Sequence, residues 1–271
     1  MYYYDFISYD AFVLRIRDQV VLITGASEGI GAACAASFRR RGARLALTAR
    51  NRGKLQRTAA PDDFVIPGDL TSEGDRARVV DSTLKHYGAI DILVNNAGVG
   101  MYSAAWQTPL VQARELFELN FFAVLDMAQR VIPSMRERKR GCIVNVGSIA
   151  GKITLPWFTL YSVSKYALGS LTDGLRMELK RDGIHAMTVC PGYVDTGFQN
   201  HVIHGRAPTA ISSRRKFTIT PEQCAEAIAR GVERNARNVV TPRSGWLLIF
   251  AARLMPALVD AQLEKMNRDR T

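Results

Sequence analysis

Tyr161 and Lys165, four positions apart in the run YSVSK, are the pair in this chain best suited to moving a proton. On a helix, positions i and i+4 share a face, so the phenol and the ammonium can act on one ligand. A free phenol titrates at about pH 10. A nearby ammonium stabilises the phenolate and draws that value toward neutrality, as a proton-transfer group requires. Taken alone, such a pair is common, and an amphipathic helix with an incidental Tyr and Lys is the simpler reading. Its neighbours change that. Ser148 precedes the tyrosine by 13 positions, close enough for both hydroxyls to meet one carbonyl. Asn120 is a polar residue inside LFELNFF, on an otherwise apolar helix flank.

A second constellation suits phosphate. In VVLITGASEGIG, residues 20–31, an apolar strand runs into a glycine-rich turn and a helix start. Gly25 permits the tight turn, Gly29 lets the backbone approach a pyrophosphate, and Gly31 allows close helix–strand packing. Ser27 and Ile30 share the turn, whose helix start offers free N–H groups to phosphates. The spacing is G-x-x-x-G-x-G, and glycines serving only a turn are the alternative. In NAD-binding sheets an acid about 20 residues further on holds the ribose 2′-hydroxyl. Here the second strand ends in LTARN with no acid. Arg50, next to Asn51, would instead offer a planar cation to a 2′-phosphate. NADP (as NADPH) is therefore the expected cofactor, with NAD the alternative; Glu28, beside the same phosphate, counts against NADP.

Elements must bring these groups together. Strand-like runs occur at Val20–Thr24, Arg44–Thr48, Phe64–Ile66, Asp91–Val94, Cys142–Val146, His185–Cys190 and Asn238–Val240. Helical periodicity falls at about 30–41, 53–59, 72–87, 109–136, 161–181 and 221–236. This alternation predicts a parallel sheet covered by helices on both faces. Ligands bind such sheets at the carboxyl ends of the strands. Those ends here carry Asp69-Leu70, Asn95-Asn96-Ala97-Gly98 and Pro191-Gly192, the last followed by Val194 and Thr196. No linker composition and no internal repeat divides the chain. We expect an N-terminal extension at 1–17, one dinucleotide-binding and catalytic domain at 18–243, and a helical tail at 244–271. Residues 192–220, loop-rich and basic, suit a binding lid. Pro256 should break the tail into two short helices.

With these motifs in order, the chain strongly resembles the short-chain dehydrogenase/reductase family over roughly residues 18–240. The resemblance rests on the glycine motif from Thr24 to Gly31, the NNAG run Asn95 to Gly98, the set Asn120, Ser148, Tyr161 and Lys165, and Pro191-Gly192 with Thr196. It implies a single Rossmann-type, doubly wound α/β sheet of about seven parallel strands. It also implies roles. Ser148 would polarise a carbonyl, and Tyr161 would give or take the proton. Lys165 would hold the nicotinamide ribose and depress the tyrosine pKa. Asn120 would hold a water linking Lys165 to solvent, with its helix locally opened. Asp69 and Leu70 would flank the adenine, Asn96, Ala97 and Gly98 the ribose side, and Pro191 to Thr196 the nicotinamide. Ala49 and Arg50 stand where the family distinguishes NAD from NADP, in agreement with the residue chemistry. Glu28 departs from the basic residue often found there in NADP-preferring members. Family members commonly pair through the helices bearing Asn120 and Tyr161, so a homodimer or homotetramer is expected.

Composition sets the outer limits. The 271 residues are 47% hydrophobic and 23% charged, ordinary globular usage that argues against a disordered or fibrous chain. The charge is 36 − 25 = +11, and residues 201–271 hold 12 basic and 6 acidic side chains, a surplus of +6. That balance suits an anionic partner, but no interleaved aromatic and basic platform points to nucleic acid. The four cysteines form no CxxC and read as reduced thiols of a cytoplasmic protein. No metal site is expected. The aromatic start (Tyr2, Tyr3, Tyr4, Phe6, Tyr9) lacks the basic flank of a secretory leader. The apolar run Trp246 to Val259 would span about 20 Å as a helix, short of a hydrocarbon core of about 30 Å. Trp246, Phe250, Leu254 and Leu258 recur at i+4 steps, with Arg253, Asp260 and Glu264 on the other face. The tail should therefore dock on its own domain or a second subunit, or else rest peripherally on a membrane with help from Arg206, Arg214, Arg215, Lys216 and Arg243. Ile149, Thr154, Leu155, Pro156, Trp157, the loop after Tyr193 and the stretch Gly100 to Trp106 should wall a pocket for an apolar carbonyl or alcohol. Steroid, retinoid, fatty-acyl and xenobiotic ketones all meet that description. A nucleotide-sensing or scaffold protein without catalysis is the rival reading, and the intact Ser148/Tyr161/Lys165 set disfavours it.

Overall fold

A computed structural model describes residues 15–205 and 218–265. The aromatic start and the cations Arg206, Arg214, Arg215 and Lys216 lie outside the described residues. Seven strands form one sheet: β1 (Val20–Thr24), β2 (Arg44–Thr48), β3 (Phe64–Val65), β4 (Ile92–Asn95), β5 (Gly141–Val146), β6 (Ile184–Pro191) and β7 (Asn238–Thr241). Their order is β3-β2-β1-β4-β5-β6-β7, and every neighbouring pair is parallel. The order reverses between β1 and β4, the switch point where such sheets open a crevice for a ligand.

Strand side chains alternate between the two faces of a sheet, and here both faces are apolar. Val21, Ile23, Leu45, Leu47, Ile92, Val94 and Val144 point to one face. There they meet α1 (Gly29–Arg40) through Cys34 and Phe38, and α7 (Pro221–Glu233) through Cys224 and Ile228. Leu22, Ala46, Leu93, Ile143 and Ala186 point to the other, against α3 (Glu73–Tyr87), α5 (Ala123–Glu137) and α6 (Thr159–Glu178). Covering both faces explains why the strands read as unbroken apolar runs. Ile16, just before β1, is also buried in this core.

The short α2 (Arg52–Thr58) is capped by Asn51, whose Oδ1 accepts from the Lys54 N–H at 2.9 Å. The single helix expected over 109–136 is interrupted. It runs as α4 (Leu110–Phe117), a π turn over Glu118–Phe122, then α5. Hydrophobic periodicity does not register one extra residue in a turn, and that residue is what turns Asn120 inward. The tail forms α8 (Gly245–Leu254) and α9 (Pro256–Lys265), bent by 114° where Pro256 breaks it.

Candidate active site

The carboxyl end of β5 runs through Gly147 to Ser148, and the first two turns of α6, which carry Tyr161 and Lys165, face it. Ser148 accepts from the Ala150 N–H at 3.1 Å and stands beside the Tyr161 hydroxyl. Lys165, buried one turn beyond Tyr161, donates to the Val146 carbonyl at 3.1 Å, and its ammonium lies 5.6 Å from the Tyr161 ring centroid. Burial draws the Lys165 pKa down to about 8. Burial also pushes the Tyr161 phenol well above its usual value, and the Ser148 hydroxyl offsets only part of that rise. The protein alone thus keeps Tyr161 protonated, an acid ready to donate, whereas the spacing with Lys165 predicted a lowered value.

Asn120 is fully buried and tied at both ends of its amide. Oδ1 accepts from the Val99 N–H at 2.9 Å, while Nδ2 donates to the Val99 carbonyl at 3.0 Å and lies 3.3 Å from the Ser164 hydroxyl. Ser164 donates in turn to the Tyr161 carbonyl at 2.7 Å, so the asparagine braces the turn of α6 that carries the phenol. Arg76 holds the π turn from behind, pairing with Asp126 and, at 2.9 Å, with Glu118, and donating to the Leu70 carbonyl at 2.7 Å.

One cleft of about 500 Å³ joins this cluster to the glycine-rich turn. Its floor is backbone. A Cβ on Gly31 would lie 2.1 Å from the Gly25 carbonyl oxygen, and one on Gly98 would lie 3.1 Å from Asn120 Oδ1 and 3.5 Å from Lys165 Nζ. Thr24 Oγ1 accepts from the Asn96 and Ala97 N–H groups at 2.9 and 3.0 Å, and Asn96 Nδ2 donates to the Thr24 carbonyl at 2.9 Å. Asn96 is therefore a cross-link that fixes the β4 turn against the β1 turn. The N-terminus of α1 receives no side-chain cap from Glu28. A bare helix start under a floor without side chains fits a dinucleotide pyrophosphate.

Every residue expected to touch the cofactor borders this cleft except Gly31, which lies beneath its floor. Ser27, Gly29 and Ile30 line the turn, Arg50, Asn51, Asp69 and Leu70 the end beyond β2 and β3, and Pro191, Gly192, Val194 and Thr196 the side toward β6. Arg50 is exposed and has no ion-pair partner among the described residues. Asn51 spends its side-chain oxygen on the α2 cap. Two residues absent from the sequence reading join them. Lys54 Nζ pairs with Glu28 at 2.8 Å, and His201 Nε2 contacts the other Glu28 oxygen. The Lys54 bond, assisted by His201, holds the Glu28 carboxyl below its usual range. The charge of Glu28 is thus partly offset by the Lys54 ammonium, with the His201 ring on its other oxygen. Contacts 26 and 173 positions apart in sequence leave no local pattern to read.

The described parts of the lid, 192–205 and 218–220, are pinned to the body of the domain. Val194 pairs with Ile219 and Gly100 with Val202, while the Gly100 and Tyr102 N–H groups donate to the His201 and His204 carbonyls at 3.1 and 2.9 Å. On the substrate side, Ile149 and Leu155 border the cleft as expected, but Thr154, Pro156 and Trp157 do not. Trp157 has φ +61°, a left-handed conformation rare for a bulky side chain, and packs on Trp106. That kink turns the next residue, Phe158, inward. Of the stretch Gly100 to Trp106, only Tyr102 reaches the cleft. Tyr102 stacks on Phe158 at 4.4 Å and Phe158 on Tyr161 at 4.1 Å, while Phe198 of the lid meets Tyr161 edge-on at 5.9 Å. All four cysteines are buried free thiols, and burial raises the pKa of each. No metal-binding cluster occurs among the described residues.

A doubly wound parallel sheet, a glycine cradle at its switch point and a Ser–Tyr–Lys cluster beside it define a nucleotide-dependent oxidoreductase. A family model for short chain dehydrogenases matches residues 19–207. Over 93% of its length the chain is 30% identical to the dehydrogenase/reductase SDR family protein 7-like of Anopheles gambiae, covering 86% of that protein. It is 34% identical to the 11-beta-hydroxysteroid dehydrogenase-like 3 of Arabidopsis thaliana, covering 91% of this chain and 80% of that one. A solved short-chain dehydrogenase from Streptomyces avermitilis superposes with a TM-score of 0.79 at 28% identity, over 94% of this chain and 98% of that one. The chain belongs to the short-chain dehydrogenase/reductase family and is an NAD(P)-dependent oxidoreductase.

Proposed function

We propose that the protein is an NADP-preferring carbonyl reductase for apolar substrates, with Ser148, Tyr161, Lys165 and Asn120 as its catalytic set. The observation that carries the reading is the meeting of Ser148, Tyr161 and Lys165 at the end of a cleft that begins with Arg50 and Lys54. Nicotinamide supplies the hydride when bound. Ser148 holds the substrate carbonyl, and Tyr161, kept protonated by burial, gives its proton to the oxygen as charge develops there. Lys165 holds the ribose hydroxyls and favours the phenolate left behind. Asn120 fixes the helix turn on which both depend. Arg50 is free to pair with a 2′-phosphate, and Lys54 offsets the repulsion that Glu28 would otherwise exert. Tyr102, Leu155, Phe158 and Phe198 offer an apolar, largely aromatic wall, in keeping with the steroid named for the Arabidopsis relative. Exposed Leu110, Val111 and Phe122 near α4, with Val163, Tyr166 and Met177 on α6, suit pairing of two copies.

The test is NADPH consumption over a panel of steroid, retinoid, fatty-acyl and xenobiotic ketones. At least one apolar ketone should turn over. Tyr161→Phe should lower kcat by roughly 10²- to 10⁴-fold, the usual contribution of a positioned general acid, while NADPH still binds. Turnover unchanged in that variant would remove Tyr161 from the catalytic role.

A further inference from the structure

The tail leaves more apolar surface uncovered than any other segment among the described residues. Seven of the fourteen large apolar side chains exposed there lie between Trp246 and Leu258. Leu247 and Leu254 are 74% and 77% exposed, Leu258 67% and Phe250 57%. The helix is nonetheless anchored. Ile249 is buried with Ile153, Cys190 and Val240, with Ile149 and Ala252 packed alongside. α8 therefore has a fixed orientation, with one side seated beside β7 and the other turned outward. No residue of α9 is buried. A concentration of exposed apolar side chains of this kind marks an interaction site.

Charge selects the partner. From Arg243 to Val259 the chain carries two arginines and no acid. Both arginines are exposed, one just before α8 and one in its last turn. The surrounding last 71 residues hold 12 basic and 6 acidic side chains. Two short helices bent by 114° do not present the straight face that one helix needs to pair with its copy along its length, and α4 and α6 already offer an apolar face for self-association. No single helix among the described residues is long and apolar enough to cross a bilayer. A short apolar helix bracketed by cations fits the plane of a membrane interface, where apolar side chains sink into the acyl boundary and cations meet anionic headgroups.

We propose that α8 and the start of α9 dock the protein on an anionic lipid surface, with Leu247, Phe250, Leu254 and Leu258 inserted and Arg243 and Arg253 on the headgroups. The inference stands apart from the choice of substrate or cofactor. It is tested by co-sedimentation of the full chain with vesicles of phosphatidylcholine alone or with phosphatidylserine added. Most of the protein should pellet with the phosphatidylserine vesicles and little with the neutral ones, and raised salt should release it. The combined variant Leu247→Glu, Phe250→Glu, Leu254→Glu should stay in the supernatant while keeping its melting temperature and its activity on a water-soluble substrate. Arg243→Glu with Arg253→Glu, which leaves the apolar face intact, should reduce pelleting several-fold. The proposal is overturned if the wild-type chain pellets with neither vesicle or equally with both. It is also overturned if the triple variant still pellets, or if that variant splits an oligomer in sedimentation velocity while the wild-type chain ignores lipid.

Discussion

The two ends of the cleft are made of different material. At the cofactor end the floor is main chain, with Arg50 and Lys54 only at its rim: a bare helix start, a Gly25 carbonyl against which Gly31 leaves no room for a Cβ, and a β4 turn clamped by Thr24 and Asn96. At the substrate end the surface is side chain: Tyr102 from the loop after β4, Phe158 from the entrance to α6, and Phe198 from the lid. The first end is shaped by what is missing, the second by what is brought in from three distant places. A backbone-built surface binds what every dinucleotide shares. A side-chain surface can change without disturbing the sheet, so selectivity is expected to reside there.

That contrast predicts unequal sensitivity. The largest effect should come from the smallest change, Gly31→Ala. The added carbon would meet the Gly25 carbonyl at 2.1 Å with no flexible side chain to yield. Overpacking of this kind costs about 1–3 kcal/mol or more. Displacing the α1 start moves its free N–H groups off the pyrophosphate and should weaken cofactor binding. Misplacing the nicotinamide by as little as about 1 Å should lower turnover about a hundredfold. Thermal melting and a fluorescence titration with NADPH read the losses of stability and of binding separately. A variant with wild-type melting and affinity would mean that the cradle is not rigid, and the contrast would fail. Next comes Arg50→Ala. Loss of a charge-assisted contact of about 1.5–3 kcal/mol should raise the NADP Kd roughly tenfold to hundredfold and leave the NAD Kd unchanged. Equal losses for both cofactors would show that Arg50 does not reach a 2′-phosphate.

The same contrast explains what could be read before the structure. All seven strands were legible, to within one or two residues at their ends, because apolar runs of β-branched residues bounded by turns carry the signal locally. The cofactor floor was legible for a related reason. A site with no room for side chains must spell itself in glycines at fixed spacing, and Gly25, Gly29 and Gly31 do. Tyr161 and Lys165 share one helix face, and Ser148 follows a strand end, so their convergence was also local. Tyr102 and Phe198 fall in stretches expected to wall the pocket but were not singled out, and Lys54, His201 and Phe158 were not picked out as site residues. Each acquires its place through a contact between elements far apart in sequence, or through a kink such as the left-handed Trp157. The π turn at Asn120 escaped periodicity, although the family resemblance implied an opened helix.

The aromatic column gives the finest test of the difference. Phe158 is 7% exposed and lies between Tyr102 and Tyr161, with ring planes at 11° and 23° to its neighbours. It holds no proton and makes no hydrogen bond to substrate, so beyond its share of the apolar wall its influence on the chemistry passes through the plane of the Tyr161 ring. The left-handed Trp157 turns it inward, a conformation that costs about 1–3 kcal/mol and persists only where surrounding packing enforces it. Phe158→Leu keeps the apolar volume but removes the stack, which is worth about 0.5–1.5 kcal/mol beyond area burial. If that energy serves to orient the phenol, kcat should fall by roughly twofold to tenfold with the NADPH Kd unchanged, and Phe158→Tyr should restore it. A purely structural residue would lower the melting temperature and spare kcat in the folded fraction. If Phe158→Leu instead raised KM for large ketones alone, Phe158 would belong to the substrate wall and not to the support of Tyr161. The boundary between the two ends of the cleft would then fall at the catalytic tyrosine itself.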